Sequence, residues 1–243
     1  MKNLIQAEAL KMRHTLCKKM VWGIPLLLLL SDMVLSMGMT NVYAESVWNS
    51  WYTLLLPGTL AIIIYLNISK ERKIHYYYQT AFAAGKKKTM FVKILYFAGL
   101  LFLSNVVIFA GASAGGAVFT TSVPLWGAVV SVPLLTAVYL WLIPVALFLS
   151  IRFGMIADIL VCVMLVMGGT VFAVSEKAYL FVGSIPMRVV CPFLRVLPNG
   201  LCAEAGNPML DMAKVVPETA LALVWFVVLT ILFLVWFDRK EVK

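Results

Sequence analysis

The 243-residue chain is poor in the side chains from which catalytic sites are built. Histidine occurs twice, at His14 and His75, and neither has a nearby set of cysteines or carboxylates with metal-ligand spacing. The four cysteines, Cys17, Cys162, Cys191 and Cys202, form no metal pattern either. Cys191 and Cys202 share one segment, where a disulfide and two free thiols are both allowed. Asp, Glu, Lys and Arg together make up only 13% of the residues, far below the share of a soluble domain. Gly85-Lys86-Lys87 superficially resembles a phosphate loop, but Thr80 stands where the first glycine belongs and Lys87 where serine or threonine belongs. The chain therefore has no catalytic residues, metal ligands or cofactor site of its own that sequence can find, and any energy must come from a partner or an ion gradient.

What the chain has in abundance is apolar length. Hydrophobic residues account for 63% of it, in about six stretches long enough to cross a bilayer: 20–39, 47–66, 94–114, 125–150, 155–174 and 219–237. Lipid offers no partner to backbone polar groups, so each stretch is expected to be a helix and the fold an all-α membrane protein with six transmembrane helices. Sixteen of the twenty basic residues fall before the first stretch, between the second and third, in the fourth-to-fifth connection or after the sixth. The positive-inside rule makes that face cytosolic, with both termini inside a multi-pass cell-membrane protein. The net charge of +9 is then explained by topology and anionic headgroups rather than by nucleic acid. Val42-Tyr43-Ala44 looks like a signal-peptidase site, but the long apolar run and extended basic region before it favour an uncleaved first span. The sequon Asn67-Ile68-Ser69 falls on the cytosolic side and reads as accidental.

The remaining length reads as a single transmembrane domain, 1–243, with three features outside the spans. Residues 1–19 show Met1, Ile5, Ala9, Met12 and Leu16 at helical spacing, predicting an amphipathic elbow helix in the headgroup plane. Residues 67–93 form a cytosolic loop in which an aromatic helix with Tyr76, Tyr77, Tyr78, Gln79 and Phe82 lies between charged clusters. Such a surface suits docking, and equally suits an interfacial belt. Gly85 is placed to end that helix. Residues 175–218 are external. There Pro198-Asn199-Gly200 signals a turn that reverses the chain and lets Val196 and Leu197 face the bundle.

Within the spans, Gly111 to Gly116 and Gly168-Gly169 suit close helix packing, and Pro124, Pro133 and Pro144 predict a kinked fourth span. Two carboxylates remain in lipid. Asp32, read as mid-helix in the first span, is a candidate for substrate or proton contact. Asp158, one turn into the fifth, is expected to be solvated or paired with Arg152.

The arrangement resembles the permease of a type-2 ABC exporter: an elbow, six spans and a charged coupling segment. The matching residues are Lys70-Glu71-Arg72-Lys73, the helix 76–84, Lys86-Lys87-Lys88 and Lys93, without that family's proline near the helix end. The stretch 185–201, Ile-Pro-Met-Arg-Val-Val-Cys-Pro-Phe-Leu-Arg-Val-Leu-Pro-Asn-Gly-Leu, is similar to lantibiotic-immunity permeases, as is Gln6-Ala7-Glu8-Ala9-Leu10-Lys11. The resemblance implies a transport subunit rather than an enzyme. Its partners would be a soluble ATPase carrying ATP and Mg, a second permease and an antimicrobial peptide. It assigns ATPase coupling to Glu71, Tyr76, Tyr77, Tyr78, Gln79 and Phe82. Substrate contact falls to Asp32, Arg195, Pro198, Asn199 and Gly200. The other readings are a membrane-embedded sensor or assembly subunit, and a proton-coupled transporter resting on Asp32.

Overall fold

A computed structural model describes residues 2–13, 15–36, 42–73, 85–175 and 177–239. Among them the chain is all-α, its one β-type pairing being an isolated antiparallel bridge between Val196 and Cys202. Four helical stretches are long and apolar enough to cross a membrane, and a bent pair adds a fifth.

The chain enters through α1 (Lys2–Met12) and, after Thr15, begins α2 (Leu16–Leu35). The expected elbow helix therefore stops at Met12, and residues 16–19 belong to the next element. Helix α2 is not among these five, since Lys18 and Lys19 in its first turn and Asp32 in its last leave too short an uncharged stretch between them. Asp32 consequently lies in the last turn of α2, not in its middle.

Next come α3 (Tyr43–Ser50), a π-helical turn (Trp51–Leu55) and α4 (Leu56–Lys73), forming one continuous rod. Pro57 explains the π-turn. It has no N–H, so in a regular helix it would orphan the carbonyl four residues back. The register instead widens, Leu56 N–H reaching Trp51 O, and the gap moves to Tyr52 O, which accepts from the Tyr139 hydroxyl. Helix α5 (Lys86–Phe119) follows, then α6 (Leu125–Tyr139) and α7 (Leu142–Arg152). These last two meet at 47°. The break precedes Pro144, which cannot donate to Leu140 O, and Ile143 N–H closes a tighter turn onto that carbonyl at 3.1 Å. Of the three prolines, then, Pro144 makes the kink; Pro133 sits within α6 and Pro124 caps its start.

Helix α8 (Met155–Phe172) leads to short 3₁₀ turns, the buried helix α9 (Ile185–Leu194), the turn at Pro198–Gly200 and finally α10 (Val215–Arg239).

Contacts at the two extremities show that successive long helices alternate in direction. At one end α1 meets the last turns of α4 and the start of α5, and Lys87 of α5 lies 3.0 Å from Asp238 of α10. At the other, Ser46 of α3 donates to Asp32 of α2, and Glu45 holds Thr121 and Ser122 between α5 and α6. These are called the N-terminal end and the hairpin end below. Between them Trp51 Nε1 donates to Asn105 Oδ1 at 2.8 Å, and Asn105 Nδ2 donates to Thr136 at 3.0 Å, so the buried amide of α5 is satisfied from two neighbours. Small residues on α5 admit close contact as expected: Leu29 fills the space beside Gly111, and the Tyr43 ring that beside Gly115.

Candidate functional site

At the N-terminal end two acids and two bases share one buried cluster drawn from three helices. Lys93 of α5, with no exposed surface, places Nζ 2.7 Å from Glu71 Oε1, 3.1 Å from Glu8 Oε2 and 2.6 Å from Asn67 Oδ1. Lys11 lies 2.7 Å from Glu8 and 3.3 Å from Glu71. Asn67 Nδ2 completes the set by donating to Met12 Sδ at 3.1 Å. Three donors on Lys93 meet three acceptors, which is the condition under which a buried ammonium is tolerated. Burial alone would raise the Glu8 carboxyl, but the Lys93 and Lys11 ammonium groups outweigh it and hold Glu8 below its ordinary 4.5. Burial likewise opposes charge on Lys11, and Glu8 and Glu71 outweigh it and raise the ammonium above its ordinary 10.5.

Glu71, assigned to ATPase coupling, faces inward at 4% exposure. On helix α1, Glu8 and Met12 are buried against the bundle while Ile5 and Ala9 are exposed, so the expected apolar stripe is divided between the bundle and the outside. The cluster closes the base of the segment 74–84, since α4 arrives beside Lys93 through Glu71 and α5 departs through Lys93 itself. Tyr76, Tyr77, Tyr78, Gln79 and Phe82 lie outside the described residues. Gly85, just before α5, has φ +76°, a conformation that suits glycine.

At the hairpin end the stretch 182–197 folds into the bundle, while 201–214 is largely exposed. Helix α9 buries Ile185, Met187, Val189, Val190, Cys191 and Leu194. Arg188 ties it down: Nε donates to both Glu218 oxygens at 2.8 and 3.0 Å, and an Nη donates to Ala173 O and Ser175 O. Backbones touch where glycine allows. A Cβ on Gly127 would stand 2.0 Å from Phe193 O, and one on Gly169 2.0 Å from Gly183 O. After α9, Arg195 adopts the left-handed region at φ +57° and Gly200 at φ +84°. Gly200 N donates to Leu197 O, Leu201 N to the Asn199 side chain, and Leu197 N to Leu201 O. The chain thus reverses at Pro198-Asn199-Gly200, with Val196 buried and Leu197 half-buried, as the turn signal predicts. The Tyr52 hydroxyl lies 3.4 Å from Val196 O and 3.3 Å from Leu197 O, joining this turn to the π-turn. Arg195 and Asn199 are exposed, whereas Pro198 and Gly200 are partly covered. Cys191 is buried, Cys202 is exposed, and both are free thiols.

Asp32 is not brought to the hairpin turn. It is 3% exposed, and its Oδ1 accepts from Ser46 at 2.6 Å. Asp158 is fully buried and accepts from Ser150 Oγ and, at 3.3 Å, from Cys162 Sγ, so neither solvation nor Arg152 satisfies it. The reason is position: the turn at Phe153-Gly154 carries Arg152 outward while Ser150 stays against α8. Glu8, Lys93 and Arg188 carry the site's charge, yet local pattern marks none of them. They stand inside the stretches that carry the family resemblance, and that is their only sequence signal. No protein-family model, curated protein or solved structure matches the chain.

Proposed function

We propose that this chain is the permease subunit of an ATP-driven exporter that expels a lantibiotic or related antimicrobial peptide from the cell membrane. In this reading α2 is the first of six crossings, the N-terminal end is cytosolic, and segment 74–84 docks on a soluble ATPase. The observation that carries it is the buried cluster around Lys93. Both roots of the segment and helix α1 are fastened to one another there, so a push on 74–84 is transmitted to α1, α4 and α5 together rather than absorbed in a slack loop. A second permease subunit completes the assembly.

The test is co-purification with the ATPase from the same operon, followed by peptide-stimulated ATP hydrolysis and export in reconstituted vesicles. Tyr77→Ala with Phe82→Ala is expected to keep the complex in the membrane while abolishing the stimulation. Stimulation at the unsubstituted level, or labelling of Lys87→Cys from the external side, overturns the proposal. Peptide contact by the hairpin has its own test. Replacing Pro198-Asn199-Gly200 by alanines should lower protection against the peptide, and loss of assembly instead would make the turn purely structural. The proton-coupled reading finds little support, because Asp32 and Asp158 lie at opposite ends of the bundle, each held by local hydrogen bonds.

A further inference from the structure

Helix α2 carries one stripe that belongs to neither the ion cluster nor the hairpin. Thr15, Lys18, Lys19, Trp22, Gly23 and Leu26 recur at helical spacing and, with Arg13 from the end of α1, line an open recess of about 560 Å³. Its chemistry changes in one direction. Arg13, Lys18 and Lys19 stand exposed at the N-terminal end; Trp22 follows at 43% exposure, then Gly23 with nothing within 4 Å of where a side chain would begin. Beyond Leu26 the exposed face continues through Leu27, Leu30 and Met33. Among the described residues no carboxylate pairs with any of the three cations, while the neighbouring Lys11 and Lys93 are fully engaged with Glu8 and Glu71.

Cations, then an indole at the boundary, then an open apolar track repeat the polarity of a phospholipid read from headgroup to tail. We infer that this recess is a binding site for one anionic phospholipid of the leaflet at the N-terminal end. The phosphate and its charged headgroup lie between Arg13, Lys18 and Lys19. Trp22 sits at the level of the glycerol, and an acyl chain runs over Gly23 and along Leu26, Leu27 and Leu30. The missing side chain at Gly23 makes the passage from head to tail. The site rests on α2 crossing the bilayer and is independent of the transport reading. It gives the free outer face of α2 a role: lipid seated there holds α2 and the end of α1 together on the side opposite the Lys93 cluster.

Native mass spectrometry of the full chain, released from nanodiscs of phosphatidylglycerol and phosphatidylcholine in equal parts, tests this. One phosphatidylglycerol is expected to remain bound after both lipids are stripped from the rest of the surface. Arg13→Gln with Lys18→Gln and Lys19→Gln should weaken its retention at least about tenfold. The charge-matched control with Lys86, Lys87 and Lys88 changed to glutamine should retain it. Gly23→Leu keeps every charge, and its Cβ meets nothing within 4 Å, yet its side chain fills the passage and should weaken retention several-fold. Equal loss in both triple variants would reduce the effect to surface charge and overturn the site. Retention in Gly23→Leu at the unsubstituted level, or equal retention of phosphatidylcholine, would overturn it too.

Discussion

The two ends of the bundle are fastened by different mixtures of charge and shape. At the N-terminal end, helices are joined through long charged side chains whose partners come from elements up to 85 residues apart. At the hairpin end the Arg188–Glu218 ion pair is combined with backbone against backbone at Gly127 and Gly169, and with carbonyls accepting from Tyr52 and Arg188. Charged contacts depend on protonation and on every partner being present; glycine contacts depend on shape alone. Removing a charge should therefore be felt most at the N-terminal end, and adding a methyl most at the hairpin end.

Breaking the charged joint has the largest expected effect. Lys93→Met takes the buried ammonium from between Glu8 and Glu71, leaving Lys11 beside both, and should cost about 3 kcal/mol, measured as loss of thermal stability in detergent. The triple variant Glu8→Gln, Glu71→Gln and Lys93→Met removes the excess negative charge and should recover part of that loss. If Lys93→Met alone is as stable as the parent chain, the charged joint does not hold the helices. Overpacking the shape-dependent joint comes next. Gly127→Ala drives a methyl into Phe193 O and should cost about 1–3 kcal/mol, since the opposing atom is backbone and cannot swing away. The loss should not vary between pH 4 and 8, and a strong pH dependence would contradict the division drawn here. Tyr139→Phe takes the donor from Tyr52 O and should cost about 1 kcal/mol, with amide exchange quickened around the π-turn.

The smallest effect separates the ends by acidity. The folded pKa of Glu8 lies below its ordinary 4.5, so its share of stability is present above that value and is lost as pH falls through the lowered folded pKa. Lys11 mirrors it: the raised ammonium contributes below 10.5 and its share is lost as pH rises through the folded value. Spin labels on α1 and α5 should therefore report one distance between these limits and a longer one below the first. Labels on α9 and α6, which meet through Phe193 and Gly127, should report a smaller change over the same acid range.

Hydropathy alone located the four long apolar helices and the bent pair, with ends off by up to eight residues where α5 already begins at Lys86, because in lipid apolar length and helix are nearly the same statement. The kink and the hairpin turn were legible too, each encoded by residues within a few positions of the event: Pro144 for one, Pro198-Asn199-Gly200 for the other. What local pattern missed was non-local. Nothing near Glu8 in the chain announces its partner, which stands 85 residues away. The same holds for Arg188 and Glu218, 30 residues apart. Asp32 was misplaced for a simpler reason: the first apolar run was centred too far along, whereas the helix already begins at Leu16 and ends at Leu35.

The π-turn at Trp51–Leu55 has a further consequence, since α3 and α4 form one rod that meets partners at two points along it. Tyr52 points at the hairpin turn and Glu71 at Lys93. A wide turn holds one residue more than an ordinary one, so deleting a residue within 51–55 would let the rod rewind with little rotation of one half against the other. Deleting one from the ordinary helix between Gly58 and Leu66 would instead rotate the halves by about 100°, and Tyr52 and Glu71 would no longer face their partners at the same time. The wide turn is thus a length buffer, the one stretch of the rod able to lose a residue and keep its phase.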